Sequence, residues 1–198
     1  MKNFILVSSS PRRKLLLEEA GFKFTIDHVK VSEIINENLN ARENAESLAR
    51  LKAKSYVNSN NLLKLKDNLV ITADTLVAYE KTILGKPKNF SEAVEILSLL
   101  SSKTHSVITA FCIYDSSVDQ YFIYSDETFV EFRDLSEEEI LEYVRSGEPM
   151  DKAGSYGIQG EARKFVKRVN GSLSNVIGFP LELFELQVKN HGWKLCCE

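Results

Sequence analysis

The chain has 198 residues, 43% of them hydrophobic and 27% charged, which suits one large domain or two small lobes around a substantial core. A formal net charge of -3 argues against a general nucleic-acid or membrane-surface binder, while leaving room for a local basic pocket. The apolar run in "MKNFILV" is too short for a secretion signal and is broken at once by serines and arginines, and no run reaches the length of a membrane span.

Residues 3–7, "NFILV", read as a buried strand feeding a first helix. That helix has Ser10 at its N-cap, Pro11 at its first position and Gly21 at its stop. Loose alternation over 22–31 predicts a second strand. In "NARENAESLARLKAKSYV", Ala45, Leu48, Ala49, Ala53, Tyr56 and Val57 trace one helical face, and Lys52 falls on it. "NLVITADTLVAY" (68–79) reads as a strand, or a strand bent at Ala73-Asp74. A turn and loop with Gly85 and Pro87 follow, then a helix over 90–101 from the capping pair Asn89 and Glu92. Long strands are expected at 105–114 and 120–132, joined by "DSSVDQ". Ser136 and Glu139 cap a helix that should stop near Gly147. Six of the nine glycines then lie between 147 and 178, so "GEPMDKAGSYGIQG" is a loop that bends sharply or approaches something closely. "FVKRV" is a strand, "NG" at 170–171 a hairpin turn, and "PLELFELQVKNHG" a final amphipathic helix. Alternating helices and strands predict an α/β fold on a mixed sheet.

Two features go against local preference. Arg12 and Arg13 occupy the first turn of a helix, where acids are favoured. Either both point into solvent, or a polyanion held at the helix N-terminus relieves their repulsion. Asp74 interrupts an apolar strand, where a charge is costly unless paired or metal-bound. It either caps backbone N–H groups or faces a cleft as a functional carboxylate, and the second reading is preferred. Lys52 either packs its stem and snorkels or aims its ammonium into a cleft. Glu33, Lys86, Asp151 and Lys152, taken singly, read as solvated charges. Together with the arginines they fit a metal-bridged polyphosphate, with oxygen ligands for Mg²⁺ or Mn²⁺.

There is no Walker loop and no GxSxG elbow, and His28, His105 and His191 lack zinc spacing and read as structural. Cys112, Cys196 and Cys197 form no CxxC pair or disulfide framework, which suits a reducing cytoplasm, and Cys112 reads as a buried strand residue.

"SSSPRR", "ADT", "GKP", "LSSKTHSV", "GEPMDKAGSYGIQG" and "NVIGFP" occur in order from about residue 5 to 186, and together they resemble the Maf family of nucleoside triphosphate pyrophosphatases. "GSYGIQG" is similar to the dTTP/UTP-hydrolysing branch rather than the branch acting on 7-methyl-GTP. The resemblance implies a single Maf-like domain over 1–198, similar in fold to inosine triphosphatase. Its mixed, strongly twisted central sheet would be flanked by helices, with two lobes around an active-site cleft. It also implies hydrolysis of dTTP and UTP, and of modified pyrimidine nucleotides, to monophosphate and pyrophosphate with a divalent cation.

By the same resemblance Asp74 is the proton acceptor, and Arg12, Thr75 and Gln159 set substrate choice. Arg13, Lys52 and Lys86, with Ser8, Ser10 and Arg12, line the phosphate site. Glu33 joins Asp74 on the metal, and Asp151 and Lys152 of "DKAG" belong to the site. The expected partner is a small-molecule nucleoside triphosphate, with neither nucleic acid nor membrane, for a cytoplasmic monomer or homodimer. The competing class is a non-catalytic nucleotide- or nucleic-acid-binding regulator, for example of septum formation, which members of the family have been linked to. Departures from the family's usual pattern include Thr72 where a glycine is common and Leu173 where a tyrosine is common.

Overall fold

The computed structural model describes residues 2–60 and 67–194. The adjacent Cys196 and Cys197 lie outside the described residues. The chain runs β1 (Asn3–Val7), α1 (Pro11–Glu19), β2 (Thr25–Asp27), α2 (Ala41–Ser59), β3 (Asn68–Tyr79), β4 (Thr82–Leu84), α3 (Phe90–Leu100), β5 (Thr104–Asp115), β6 (Gln120–Phe132) and α4 (Glu137–Arg145). Three short 3₁₀ turns then lead to β7 (Val166–Asn170), α5 (Leu173–Ile177) and α6 (Leu181–Asn190).

The strands form one mixed sheet in the order β2-β1-β3-β5-β6-β7, with β4 paired to β3. β1 runs parallel to both β2 and β3, and the remaining pairs are antiparallel. β3 is buried almost throughout, as its largely apolar run, interrupted at Asp74, requires of a central strand.

Strand pleating divides the core. Leu76, Ala78, Ile108, Ala110 and Cys112 face α2, where Ala45, Ala49 and Ala53 let the helix approach closely. Ile71, Ala73, Val77, Phe111 and Ile113 face the opposite layer of α1, α3, α4 and α6. Thr72 donates its hydroxyl to Ala49 O at 2.6 Å, tying β3 to α2.

The helix ends follow the sequence signals. Ser136 and Glu139 form a complete capping box, and so do Asn40 and Glu43, which the sequence reading did not single out. Asn89 caps α3 through the Glu92 N–H. Gly21 takes a left-handed φ of 80° after α1. Ser10 sits at the N-cap of α1 but makes no side-chain cap bond.

Several expectations need correction. Of the two readings of 68–79 the uninterrupted strand holds and the bend at Ala73-Asp74 does not, because β3 keeps a continuous ladder with β5 through Ala73↔Phe111 and Asp74↔Ala110. The second strand shrinks to 25–27, the part that β1 pairs. The segment after β3 is a hairpin, because Thr82–Leu84 turns back onto Val77–Tyr79. The "NG" at 170–171 is not a hairpin turn. β7 already pairs with β6, and the chain passes through Gly171 into α5, capped by Ser172. Leu173, at the position where the family commonly has tyrosine, is exposed.

Candidate active site

The site opens where β3 lacks a neighbour along one edge. β1 pairs with Asn68–Ile71 and β4 with Val77–Tyr79, so 72–76 have no strand partner on that side among the described residues. A cavity of about 420 Å³ fills this gap, at the carboxyl end of β1 where it turns into α1. Crevices at the carboxyl ends of parallel strands are common ligand sites in α/β folds.

The pleat of β3 sends neighbouring side chains to opposite sides of that edge. Asp74 turns toward α2 and Thr75 toward α1 and α5. Lys52, one turn along the apolar face of α2, meets Asp74: its Nζ donates to Asp74 Oδ1 at 2.5 Å and pairs with Glu33 Oε1 at 2.7 Å. One ammonium thus lies between two carboxylates from distant segments. Asp74 is buried, and burial raises its pKa above the ordinary aspartate range, against the opposing pull of Lys52 and Arg13. For Glu33 the balance reverses. Its partial burial acts upward, but the Lys52 hydrogen bond and the charges of Lys52, Lys86 and Arg13 outweigh it and hold the carboxyl below the usual range.

On the other side of the edge, Arg13 is clamped. Its Nε donates to Gly178 O at 2.7 Å, its Nη2 to Thr75 Oγ1 at 3.0 Å and its Nη1 to Ser8 Oγ at 3.3 Å. Burial lowers its pKa, with Arg12 adding to the effect and Asp74 and Glu33 opposing it, yet a guanidinium stays charged at neutral pH. Arg12 donates Nε to Ile177 O at 3.3 Å. The two arginines therefore do not splay into solvent. Backbone carbonyls at the end of α5 hold both.

The glycine-rich loop closes a further wall. Lys152 donates to Glu148 O at 2.6 Å and to Asp151 Oδ1 at 2.8 Å, and that hydrogen bond lowers the Asp151 carboxyl pKa. Glu148 accepts from Tyr143 OH at 3.0 Å and from Glu161 N–H at 3.1 Å. Gly160 lies so close to it that a Cβ there would sit 1.9 Å from Glu148 Oε1. Gly154, at φ 68°, presses on the Val77 side chain.

Of the residues singled out by sequence, Ser10, Arg12, Arg13, Glu33, Lys52, Asp74, Thr75, Lys86, Asp151, Lys152 and Gln159 all line the cavity. Lys86 and Gln159 are exposed on its wall. Ser8 is not on the wall: its hydroxyl accepts from Arg13 and from the Ser10 N–H. Glu148 and Thr109 brace the site without lining it, and the sequence does not single them out. Thr109 is an ordinary buried strand residue in sequence, and only its hydroxyl contact with Thr75 at 3.0 Å marks it. Glu148 carried a weak signal, as an acid inside a glycine-rich stretch.

The histidines lie elsewhere. His105 is buried against Tyr156 OH at 2.7 Å, and His191 stacks on Trp193. Cys112 is fully buried in β5, and burial pushes its thiol pKa up to about 12.

Among the described residues no three His, Cys, Asp or Glu side chains converge as a metal cage. Glu33 and Asp74 reach a common point, now taken by Lys52 Nζ, and both are hard oxygen donors. No helix among the described residues is long and apolar enough to cross a membrane.

Comparison with known proteins gives a consistent result. A dTTP/UTP pyrophosphatase of Bdellovibrio bacteriovorus is 46% identical over 90% of this chain and 93% of its own. One of Caldicellulosiruptor saccharolyticus is 43% identical over 98% of both chains. One of Geobacillus sp. is 45% identical over 98% of this chain and all of its own. The family described as Maf-like protein matches residues 3–190, nearly the whole length, and this chain belongs to that family.

Proposed function

We propose that this protein is a nucleoside triphosphate pyrophosphatase that acts on dTTP and UTP and releases the monophosphate and pyrophosphate. The observation that carries this reading is the convergence of Arg12, Arg13, Lys52 and Lys86 on one cavity around a buried Asp74. The names of the similar proteins support the substrate class.

Arg12 and Arg13 present guanidiniums in the first turn of α1, where phosphate oxygens also meet the positive end of the helix dipole. Lys86 adds an exposed cation from the loop after β4. Asp74 is suited to take a proton from the attacking water, since a base works best with a pKa moved toward the working pH. The Lys52 ammonium fixes its orientation. Glu33 and Asp74 are the carboxylates that would hold a divalent cation, at the point Lys52 Nζ takes in this structure. That ion would supply charge stabilisation at the phosphates. Gln159, on the wall, offers an amide donor and acceptor that match thymine and uracil O4 and N3–H.

The test is a panel of nucleoside triphosphates with Mg²⁺ or Mn²⁺, scored for pyrophosphate. dTTP and UTP are expected to lead. Nucleotide binding without pyrophosphate release would overturn the reading in favour of a regulator.

A further inference from the structure

We propose that the Asn175–Thr109 network, joined through the Asn175 amide and its backbone carbonyl, positions the Arg12–Arg13 pair. It rests on the reading of that pair as the phosphate site. Asn175 lies in α5, is fully buried, and does not line the cavity.

Its amide is fully engaged. Oδ1 accepts from the Thr109 N–H at 3.1 Å, and Nδ2 donates to Val107 O and to Thr128 Oγ1, both at 2.9 Å. One side chain therefore locks α5 onto β5 and β6. A five-residue helix cannot hold itself and takes its position from such anchors. The end of α5 supplies Ile177 O and Gly178 O, the two carbonyls that hold Arg12 Nε and Arg13 Nε.

A second route reaches the same guanidinium. The Thr109 hydroxyl donates to Asn175 O at 2.9 Å, so it receives the Thr75 hydroxyl at 3.0 Å, and Thr75 in turn accepts from Arg13 Nη2 at 3.0 Å. Every hydroxyl in this chain has one consistent direction, from Arg13 to the Asn175 carbonyl. Buried networks with all members satisfied are rigid, and rigidity at this point aims the arginines.

The experiment titrates inorganic tripolyphosphate, which touches the cationic site and carries no base, into the full chain by calorimetry, with thermal melts alongside. Asn175→Asp removes both donors to β5 and β6. Thr109→Val removes the hydroxyl relay at nearly constant shape, and Thr109→Ser retains it. Folded Asn175→Asp and Thr109→Val are expected to bind about 10- to 100-fold more weakly, in line with supporting residues elsewhere, and Thr109→Ser near wild type. Wild-type affinity in folded Asn175→Asp or Thr109→Val would overturn the proposal, since a purely structural residue lowers the melting point without moving the affinity of the folded protein. Should Asn175→Asp not fold, the contrast between valine and serine at 109 decides. A wild-type protein that binds no tripolyphosphate and releases no pyrophosphate would instead sink the proposed function, and this inference with it.

Discussion

Lys52 Nζ lies 2.5 Å from Asp74 Oδ1, and yet the Asp74 carboxyl is held above its ordinary pKa. Burial outweighs the ion pair. For a buried carboxylate this means that the folded state binds the proton more tightly than the unfolded chain does. Stability is therefore lost as pH rises from the ordinary aspartate value through the raised one, and it stays lower above that window. Asp74→Asn removes this cost, while Glu33 still accompanies Lys52. The expected outcome is a melting temperature at pH 7 equal to or above wild type, with kcat on dTTP lowered by about 10²-fold or more on general-base magnitudes. Full turnover in Asp74→Asn would remove Asp74 from the chemistry.

A second titrating group sits apart from the site. Burial lowers the His105 pKa to about 4, and its Nδ1 has no hydrogen-bond partner among the described residues. The unfolded chain protonates this histidine near 6.5, so folding loses stability as pH falls from there toward 4. The loss across that window is roughly 3 kcal/mol. Urea melts at pH 7 and pH 4.5 should show it, and His105→Phe should flatten the difference relative to wild type. An equal pH dependence in the variant would assign the effect to other groups.

Arg13→Lys keeps the charge but not the fork. The guanidinium reaches Gly178 O, Thr75 Oγ1 and Ser8 Oγ at once, from three separate segments. A single ammonium cannot reproduce that geometry. A 10- to 100-fold fall in kcat/KM is expected, roughly the worth of one or two hydrogen bonds to a charged group, most of it in KM. A variant within twofold of wild type would show that charge alone suffices.

How much was legible in sequence follows from the range of each signal. The face of α2 was readable, Lys52 included, because its pattern is local and repeats at helical spacing. The capping pairs at Asn89 and Ser136 are local as well. The anomaly of two arginines in a first turn was visible, but its resolution was not, because the carbonyls that hold them lie 165 residues away. "NG" at 170–171 misled for the opposite reason: the dipeptide is a local turn signal, and the pairing of β7 with β6 rather than with a following strand overrode it. In the sequence Asn175 stands out only as part of "NVIGFP". A buried amide shows its purpose through partners on other strands, which no spacing rule encodes.

On the proposed function, a substitution at Gly160, which lies against Glu148, separates base choice from phosphate binding. The Glu148 carboxylate is fixed by Tyr143 OH and the Glu161 N–H, so it cannot simply swing away from a new methyl at position 160. Gly160→Ala therefore forces the loop beside Gln159 to move while the end of α5, which holds the arginines, is untouched. The variant is expected to lose preference for dTTP and UTP over purine triphosphates in kcat/KM, and Gln159→Glu is expected to do the same by removing the amide donor. Gly160→Ala, which adds no charge, should bind inorganic tripolyphosphate as wild type does. If Gly160→Ala weakens tripolyphosphate binding as strongly as it shifts the base ratio, the loop serves the phosphates too, and Gln159 does not read the base independently of them.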